Sequence, residues 1–206
     1  MSRIKGAVDA DHHAKKSRLQ ERLLRALAQA KGRHPSYREL AVAAGVSQTT
    51  LRHYFGGMDD LIVGIFQDFL RAGRPHIRAL SQPSGPLPKS IADAVRQIAF
   101  GMRLPGLHSL RAIGQAEGIR RDRVGAAYLQ TFIDPCVHAV QERLEAHVRK
   151  GEMRKCNSRA AAISLVAPII FAFQHQDDFG GSKHSQLAIT PFLKEHSQAF
   201  IRAFKV

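Results

Sequence analysis

At 206 residues, with 44% apolar and 23% charged residues, the chain suits one large domain or a small module joined to a bigger one, and its composition excludes a disordered polymer. The formal net charge is +14, which makes polyanions a natural class of partner. Half of the excess sits in the first quarter, since residues 1–56 hold 11 Lys or Arg against 4 Asp or Glu and residues 57–206 hold 20 against 13.

The opening stretch MSRIKGAVDADHHAKKSR has no apolar run after its basic residues, so no secretory signal is expected, and residues 1–11 read as a disordered tail. Leu19, Leu23, Leu24, Leu27 and Ala28 then share one helical face, while Lys16, Arg18, Arg22 and Arg25 lie largely off it. This predicts a first helix over about 12–31, stopped by Gly32. Ser36 and Glu39 have the spacing of a capping box and start a second helix that runs to about Ala44. Gly45 supplies a left-handed turn, and Ser47 caps a third helix ending near Phe55. After Gly56 and Gly57, Asp59 and Asp60 favour the positive end of a fourth helix, about 58–79, with Leu61, Ile62, Ile65, Phe66 and Phe69 on one side.

SQPSGPLP, residues 81–88, is the clearest linker. Five further helices are expected, at about 89–103, 107–117, 122–150, 158–178 and 188–204, with breaks at Pro105-Gly106, Gly118, Gly151 and the polar run DDFGGSKHS. The fold class is therefore all-α, with about nine helices. The run from Ala160 to Phe173 is interrupted by Ser164 and Pro168 and falls short of the roughly 20 apolar residues of a spanning helix, so a soluble protein with no membrane partner is expected. Cys136 and Cys156 lie in no ligand spacing and read as free thiols of a cytoplasmic protein.

Two short helices joined by a tight turn pack closely only if the residues at their crossing are small. Ala41, Ala44 and Gly45 meet that need, with Leu40, Val46, Leu51 and Tyr54 as apolar contacts. This is the spacing of a helix-turn-helix, whose second helix enters the DNA major groove with its N-terminal residues on base edges. The third helix exposes Gln48, Thr49, Arg52 and His53 and carries no Asp or Glu.

Residues 18–66 resemble the N-terminal domain of the tetracycline-repressor (TetR) family of transcription regulators. The matching pieces are YRELAVAAGVSQTTL, HYF, and DDL after a glycine pair, in order and without gaps. Beyond them the resemblance rests on length and helix pattern, with HAVQERLEAHVRKGEMR and FLKEHSQAFIRAF looking like the family's long seventh helix and its last. Two positions depart from the family's pattern: Arg52 stands where Tyr is usual, and Met58 where Lys is usual. Both family residues typically touch phosphates. Arg52 can offset the first loss, by holding a phosphate or by pairing with guanine; Met58 supplies no charge.

The resemblance and the geometry of the motif together divide the chain into a DNA-binding domain, residues 1–57, and a helical ligand-binding and dimerisation domain, residues 58–206. Gln48, Thr49 and His53 are candidates for base edges, and Ser36, Ser47, Thr50, Arg52 and Tyr54 for phosphates. Tyr54 suits core packing equally well, Arg38 is a further DNA candidate or a solvated helix residue, and Arg3 and Lys5 belong to a solvated tail within reach of a minor groove.

For the second domain the resemblance implies ligand sensing and a homodimer on a double-stranded operator. Phe66, Phe100, Arg103, His108, Ile113, Tyr128, Phe132, Phe171 and His175 suit an apolar pocket with a few orienting groups for a small-molecule effector, and equally an ordinary core. AAAISLVAPIIFAFQ is apolar nearly all round, as in a helix buried against its own domain and a partner. Leu165, Ile169 and Phe173, with Phe192, Ala199, Phe200 and Ala203 of the last helix, are the expected dimer interface. His175 with Asp177 and Asp178 comes nearest to a metal cluster but has no ligand spacing, and no nucleophile elbow, phosphate loop or paired-carboxylate pattern is present. Neither catalysis, nor a metal, nor a cofactor is expected.

Overall fold

A computed structural model describes residues 2–30 and 34–206, with side chains for all of these except 2–13 and 28. The helices are α1 Ser2–Gln29, α2 Tyr37–Ala44, α3 Gln48–Phe55, α4 Met58–Ser81, α5 Leu87–Met102, α6 Leu107–Gly118, α7 Asp122–Tyr128, α8 Asp134–Arg149, α9 Ser158–Phe173, α10 Gly181–His184 and α11 Ile189–Phe204. A π-helical turn, Leu129–Ile133, joins α7 to α8, so the single helix expected over 122–150 is one run with an inserted residue's worth of slack. A second π turn, Gln174–Asp178, extends α9. Extended pairing among the described residues is confined to one bridge, Met153 with Lys205. The all-α class expected from periodicity is the observed one.

Two elements differ from expectation. The helix expected from about residue 12 starts at Ser2, so residues 2–11 are helical rather than an unstructured tail. Gly32 lies outside the described residues, as do the side chains of Arg3, Lys5 and Ala28. The short α10 was not expected; it is a single turn inside the glycine-rich polar run, entered through Gly180 at φ 74°. Pro168 does not break its helix: it sits inside α9, where the Ser164 hydroxyl turns back to donate to the Ala161 carbonyl. With its π turn, the helix spans Ser158–Asp178 and is long and apolar enough by composition alone to cross a membrane. Its inner side, however, is the centre of a folded core.

The chain forms two compact units, Met1–Phe69 with Ser109–Tyr128, and Leu70–His108 with Leu129–Val206. These differ from a single cut at 57/58. The SQPSGPLP stretch connects α4 to α5 within the second unit instead of separating the two.

In the first unit, Leu19, Leu23 and Leu27 of α1 are buried, as are Leu40, Ala41 and Ala44 of α2, Leu51 and Phe55 of α3, and Leu61, Ile62, Ile65 and Phe66 of α4. Each set recurs at helical spacing, so one stripe of every helix is withdrawn from water. In the second unit, α5, α8, α9 and α11 surround a core that includes Ile91, Val95, Val140, Leu144, Leu165, Ile169, Phe173 and Phe200. Arg143 is fully buried there. Its guanidinium donates to the carbonyls of Ala79, Leu80 and Ser90 and to the Ser90 hydroxyl. It thereby satisfies the last turn of α4, while burial pushes its pKa below the usual value.

Candidate nucleic-acid interface

The geometry of the α2–α3 pair follows from local chemistry. Ser36 caps α2: its hydroxyl accepts from the Glu39 N–H at 3.2 Å, and its own N–H donates to the Glu39 carboxylate at 2.7 Å. The chain then turns at Gly45, φ 70°, whose N–H reaches the carbonyls of Ala41 and Val42. A side chain is strained in that backbone conformation, and a Cβ at Gly45 would also lie 3.3 Å from the guanidinium of Arg22. That guanidinium donates to the Ala44 carbonyl at 2.9 Å, so α1 closes the end of α2. Ser47 caps α3 by accepting from the Thr50 N–H at 3.0 Å, and the Ser47 and Thr50 hydroxyls share a further bond of 2.8 Å.

Leu51 and Phe55 bury the inner stripe of α3, and Gln48, Thr49, Arg52 and His53 are exposed on it. Ser36, Arg38 and Ser47 are exposed too, whereas Thr50 is half-buried. Tyr54 is half-buried, its ring 5.5 Å from His53 edge-on and 6.2 Å from Phe55, an arrangement that packs the helix as much as it presents a hydroxyl. The exposed face of α3 thus carries amide, hydroxyl, guanidinium and imidazole groups and no carboxylate. That set can donate to phosphates and form paired hydrogen bonds with base edges.

Beyond α3, the Gly56 conformation brings the chain onto α4 so closely that a Cβ there would sit 2.8 Å from the Asp60 carboxylate. Asp60 accepts from the Gly57 N–H at 3.1 Å and pairs with Arg123. The Gly57 N–H first, then Arg123, hold its pKa below the usual carboxylate range. A larger charge network lies beside it. Glu117, at the end of α6, pairs with His34 at 2.6 Å and with Arg121 at 2.9 Å, and Arg121 also pairs with Asp59 at 2.7 Å. Burial alone would raise the Glu117 carboxyl, but the bonds from His34 and Arg121 outweigh it and lower its pKa.

Several members of this surface have no counterpart among the sequence candidates. Tyr37 donates its hydroxyl to the Gly56 carbonyl at 2.7 Å and lies under the Arg52 guanidinium, 5.3 Å from the ring centre. Lys16 sits over the Phe55 ring at 5.6 Å. An aromatic residue on the first turn of a short helix, off its apolar stripe, is the signal that could have found Tyr37; the two cations needed tertiary structure.

The candidate ligand residues divide between the units. In the first, Phe66 is fully buried with its ring 5.9 Å from Tyr128, Ile113 is buried, and Tyr128 lies on Gly114 so closely that any Cβ there would overlap it. In the second, Arg103 stacks over Phe173 at 4.9 Å, His108 pairs with Asp178 at 2.7 Å, Phe171 lies 6.1 Å from His175, and Phe132 is half-buried. Phe100 is exposed, 6.1 Å from His76. Phe66 and Ile113 therefore act as core. Among the described residues no group of three or more His, Cys, Asp or Glu is placed to hold a metal ion.

The expected dimer residues need correction. Leu165, Ile169, Phe173 and Phe200 are 5% exposed or less and lie inside the second unit's own core, so they cannot form an outer face. The outer face of α9 is carried by Ala160, Ile163, Ala167 and Phe171, with Ile163 44% and Phe171 62% exposed. On α11, Ala199 and Ala203 are exposed, and Phe192 is half-buried with its ring stacked on His196. The His196 ring nitrogen lies 2.8 Å from the Leu165 carbonyl, fastening α11 to α9.

No family model matches the chain, and no curated protein is similar to it in sequence. Solved structures share its fold. A putative TetR-family transcriptional regulator from Mesorhizobium loti superposes with a TM-score of 0.75 at 16% identity, over 95% of this chain and 98% of that one. A TetR transcriptional regulator from Agrobacterium tumefaciens gives 0.72 at 18% identity, over 94% and 95%. The transcriptional regulator FadR from Bacillus subtilis, in complex with stearoyl-CoA, gives 0.68 at 14% identity, over 90% and 97%. The chain has the helical two-domain fold of TetR-type regulators.

Proposed function

We propose that the chain is a ligand-responsive, DNA-binding transcription regulator of the TetR family, cytoplasmic and without catalytic activity. In this reading it is a repressor whose homodimer sets two α3 helices on a pseudo-palindromic operator. The observation that carries the reading is the exposed face of α3, where Gln48, Thr49, Arg52 and His53 stand on a doubly capped helix pair with no acidic residue among them. The fold shared with solved TetR-type regulators supports it. Base contacts fall to Gln48, Thr49 and His53, and backbone contacts to Ser36, Arg38, Ser47, Thr50, Arg52 and Tyr54.

Dimerisation in this proposal uses the exposed side of α9, Ile163, Ala167 and Phe171, beside Ala199 and Ala203 of α11. Large apolar side chains left in water on a helix already buried on its other side favour a second copy. A small molecule is the effector, held by residues such as Arg103, His108, Phe132 and His175. The stearoyl-CoA complex of the B. subtilis regulator supports an effector of this general kind. For a ligand to release DNA, it must bind the non-DNA arrangement more tightly, and only that difference in affinity drives the switch. Residues 58–69 of α4 belong to one unit and residues 70–81 to the other, which makes α4 the covalent lever.

Selection of bound fragments from the source genome, repeated with candidate small molecules present, tests the proposal. Enrichment of inverted repeats whose half-sites lie about one helical turn, or a multiple of it, apart is the expected result. A fragment pool no different from the input overturns it and leaves a helical interaction protein of the same fold.

A further inference from the structure

Arg52 occupies a position one helical turn beyond Gln48, on the same side of α3. Its guanidinium is drawn across to the first residue of α2, where it lies 5.3 Å from the centre of the Tyr37 ring. Tyr37 in turn is fixed at its far end, because its hydroxyl donates to the Gly56 carbonyl at 2.7 Å, on the turn that closes α3. The ring is thus anchored at both ends, through the backbone of α2 and through its hydroxyl. Burial raises the phenol's pKa, against the lowering effect of the Arg52 charge, so it stays protonated and keeps donating at neutral pH.

A guanidinium lying over an aromatic face is held by the ring's negative quadrupole while its N–H donors, all in its own plane, stay available at the edges. Arg52 is exposed, and its guanidinium lies over this ring. Directly before Tyr37 stands Ser36, also exposed. A planar fork held over the first residue of α2, beside the exposed Ser36, suits a phosphate diester.

We infer that Tyr37 is a positioning residue that holds Arg52 as a phosphate clamp, so that Arg52 anchors the DNA backbone and does not read a base. The inference rests on the proposed DNA-binding role and narrows it. Tyr37 touches no phosphate itself; it removes the freedom of a long side chain before DNA arrives, which is where the gain in affinity originates.

The test is the salt dependence of binding to a short mixed-sequence duplex, with thermal unfolding as a check on the fold. Arg52→Ala lowers the slope of log affinity against log salt by about 0.9, the signature of one lost phosphate contact. Tyr37→Leu weakens binding about two- to fivefold, the worth of an exposed cation–π contact. Tyr37→Phe costs less than Tyr37→Leu, because the ring remains and only its hydroxyl anchor is lost. In the Tyr37→Leu background, Arg52→Ala costs less than it does alone. Since the chain has no Trp, Tyr37→Trp adds a single fluorescent reporter. Its emission responds to duplex when Arg52 is present and not after Arg52→Ala, a readout that does not depend on Tyr37→Leu folding. Additive effects of the two substitutions, a Tyr37→Phe loss as large as that of Tyr37→Leu, an Arg52→Ala loss confined to one base pair of a selected site, or emission indifferent to Arg52 would each overturn the inference. A wild-type protein that binds no duplex at all would instead overturn the DNA-binding role on which it rests.

Discussion

Glu117 carries two partners with one carboxylate, His34 and Arg121, and its side chain is only 8% exposed. Its folded pKa is depressed, so the stability it contributes is present above the unfolded carboxyl value, about 4.3, and is lost as pH falls through the folded value. Glu117→Gln should therefore destabilise the protein by about 1 kcal/mol or more at neutral pH. Urea unfolding at about pH 7 and about pH 2.5, below the unfolded carboxyl value, checks this: the gap to the wild type narrows on acidification. A gap that is constant across that range assigns the loss to packing alone. At the other charged end of the site, Met58 opens α4 without a cation. Met58→Lys should tighten binding to every duplex and steepen the salt dependence by about 0.9, while Thr49→Ala should shift sequence preference and leave that slope unchanged, since a hydroxyl releases no counterions. Salt titrations on selected and mixed-sequence DNA separate the two effects.

Among the elements, α9 has two sides with different duties. Ile169 and Phe173 belong to the core of the second unit, whereas Ile163 and Phe171 are exposed. Ile169→Asp should unfold that unit, because an unpaired charge in an apolar core costs several kcal/mol. Phe171→Asp should leave the fold intact and convert a dimer to a monomer at micromolar concentration. Light scattering with thermal unfolding checks both; a dimer that survives Phe171→Asp and Ile163→Asp together contradicts the proposed face. The same helix shows where sequence reasoning stops. The Ser36 capping box, the Ser47 cap, the Gly45 turn and the stripe of α3 were legible because each is local: a hydroxyl three residues from its amide, a glycine where φ is positive, a period of 3.6. α9 is apolar on every side, so its sequence holds no phase, and Leu165, Ile169 and Phe173 could not be told from Ile163 and Phe171 until their neighbours were known. The Tyr37–Arg52, Asp59–Arg121 and His34–Glu117 contacts join residues 15 to 83 positions apart in sequence, a distance over which residue spacing carries no information.

At the scale of the molecule, the charge asymmetry and the exposed face of α3 lead to the same expectation: the first unit holds a polyanion and selects among sequences. Electrostatics alone give affinity without selection, because phosphate contacts are alike on every duplex. In the proposed function, base contacts by Gln48 and Thr49 supply the selection. The decisive measurement is the ratio of affinities for the best genomic fragment and for a random duplex of equal length at physiological salt, in the wild type and in a Gln48→Ala, Thr49→Ala double variant. A ratio of about 10³ or more in the wild type, reduced at least tenfold in the variant while affinity for the random duplex is kept, is the result a DNA-reading α3 predicts. A wild-type ratio near one, or a high ratio that the double variant leaves untouched, would contradict it.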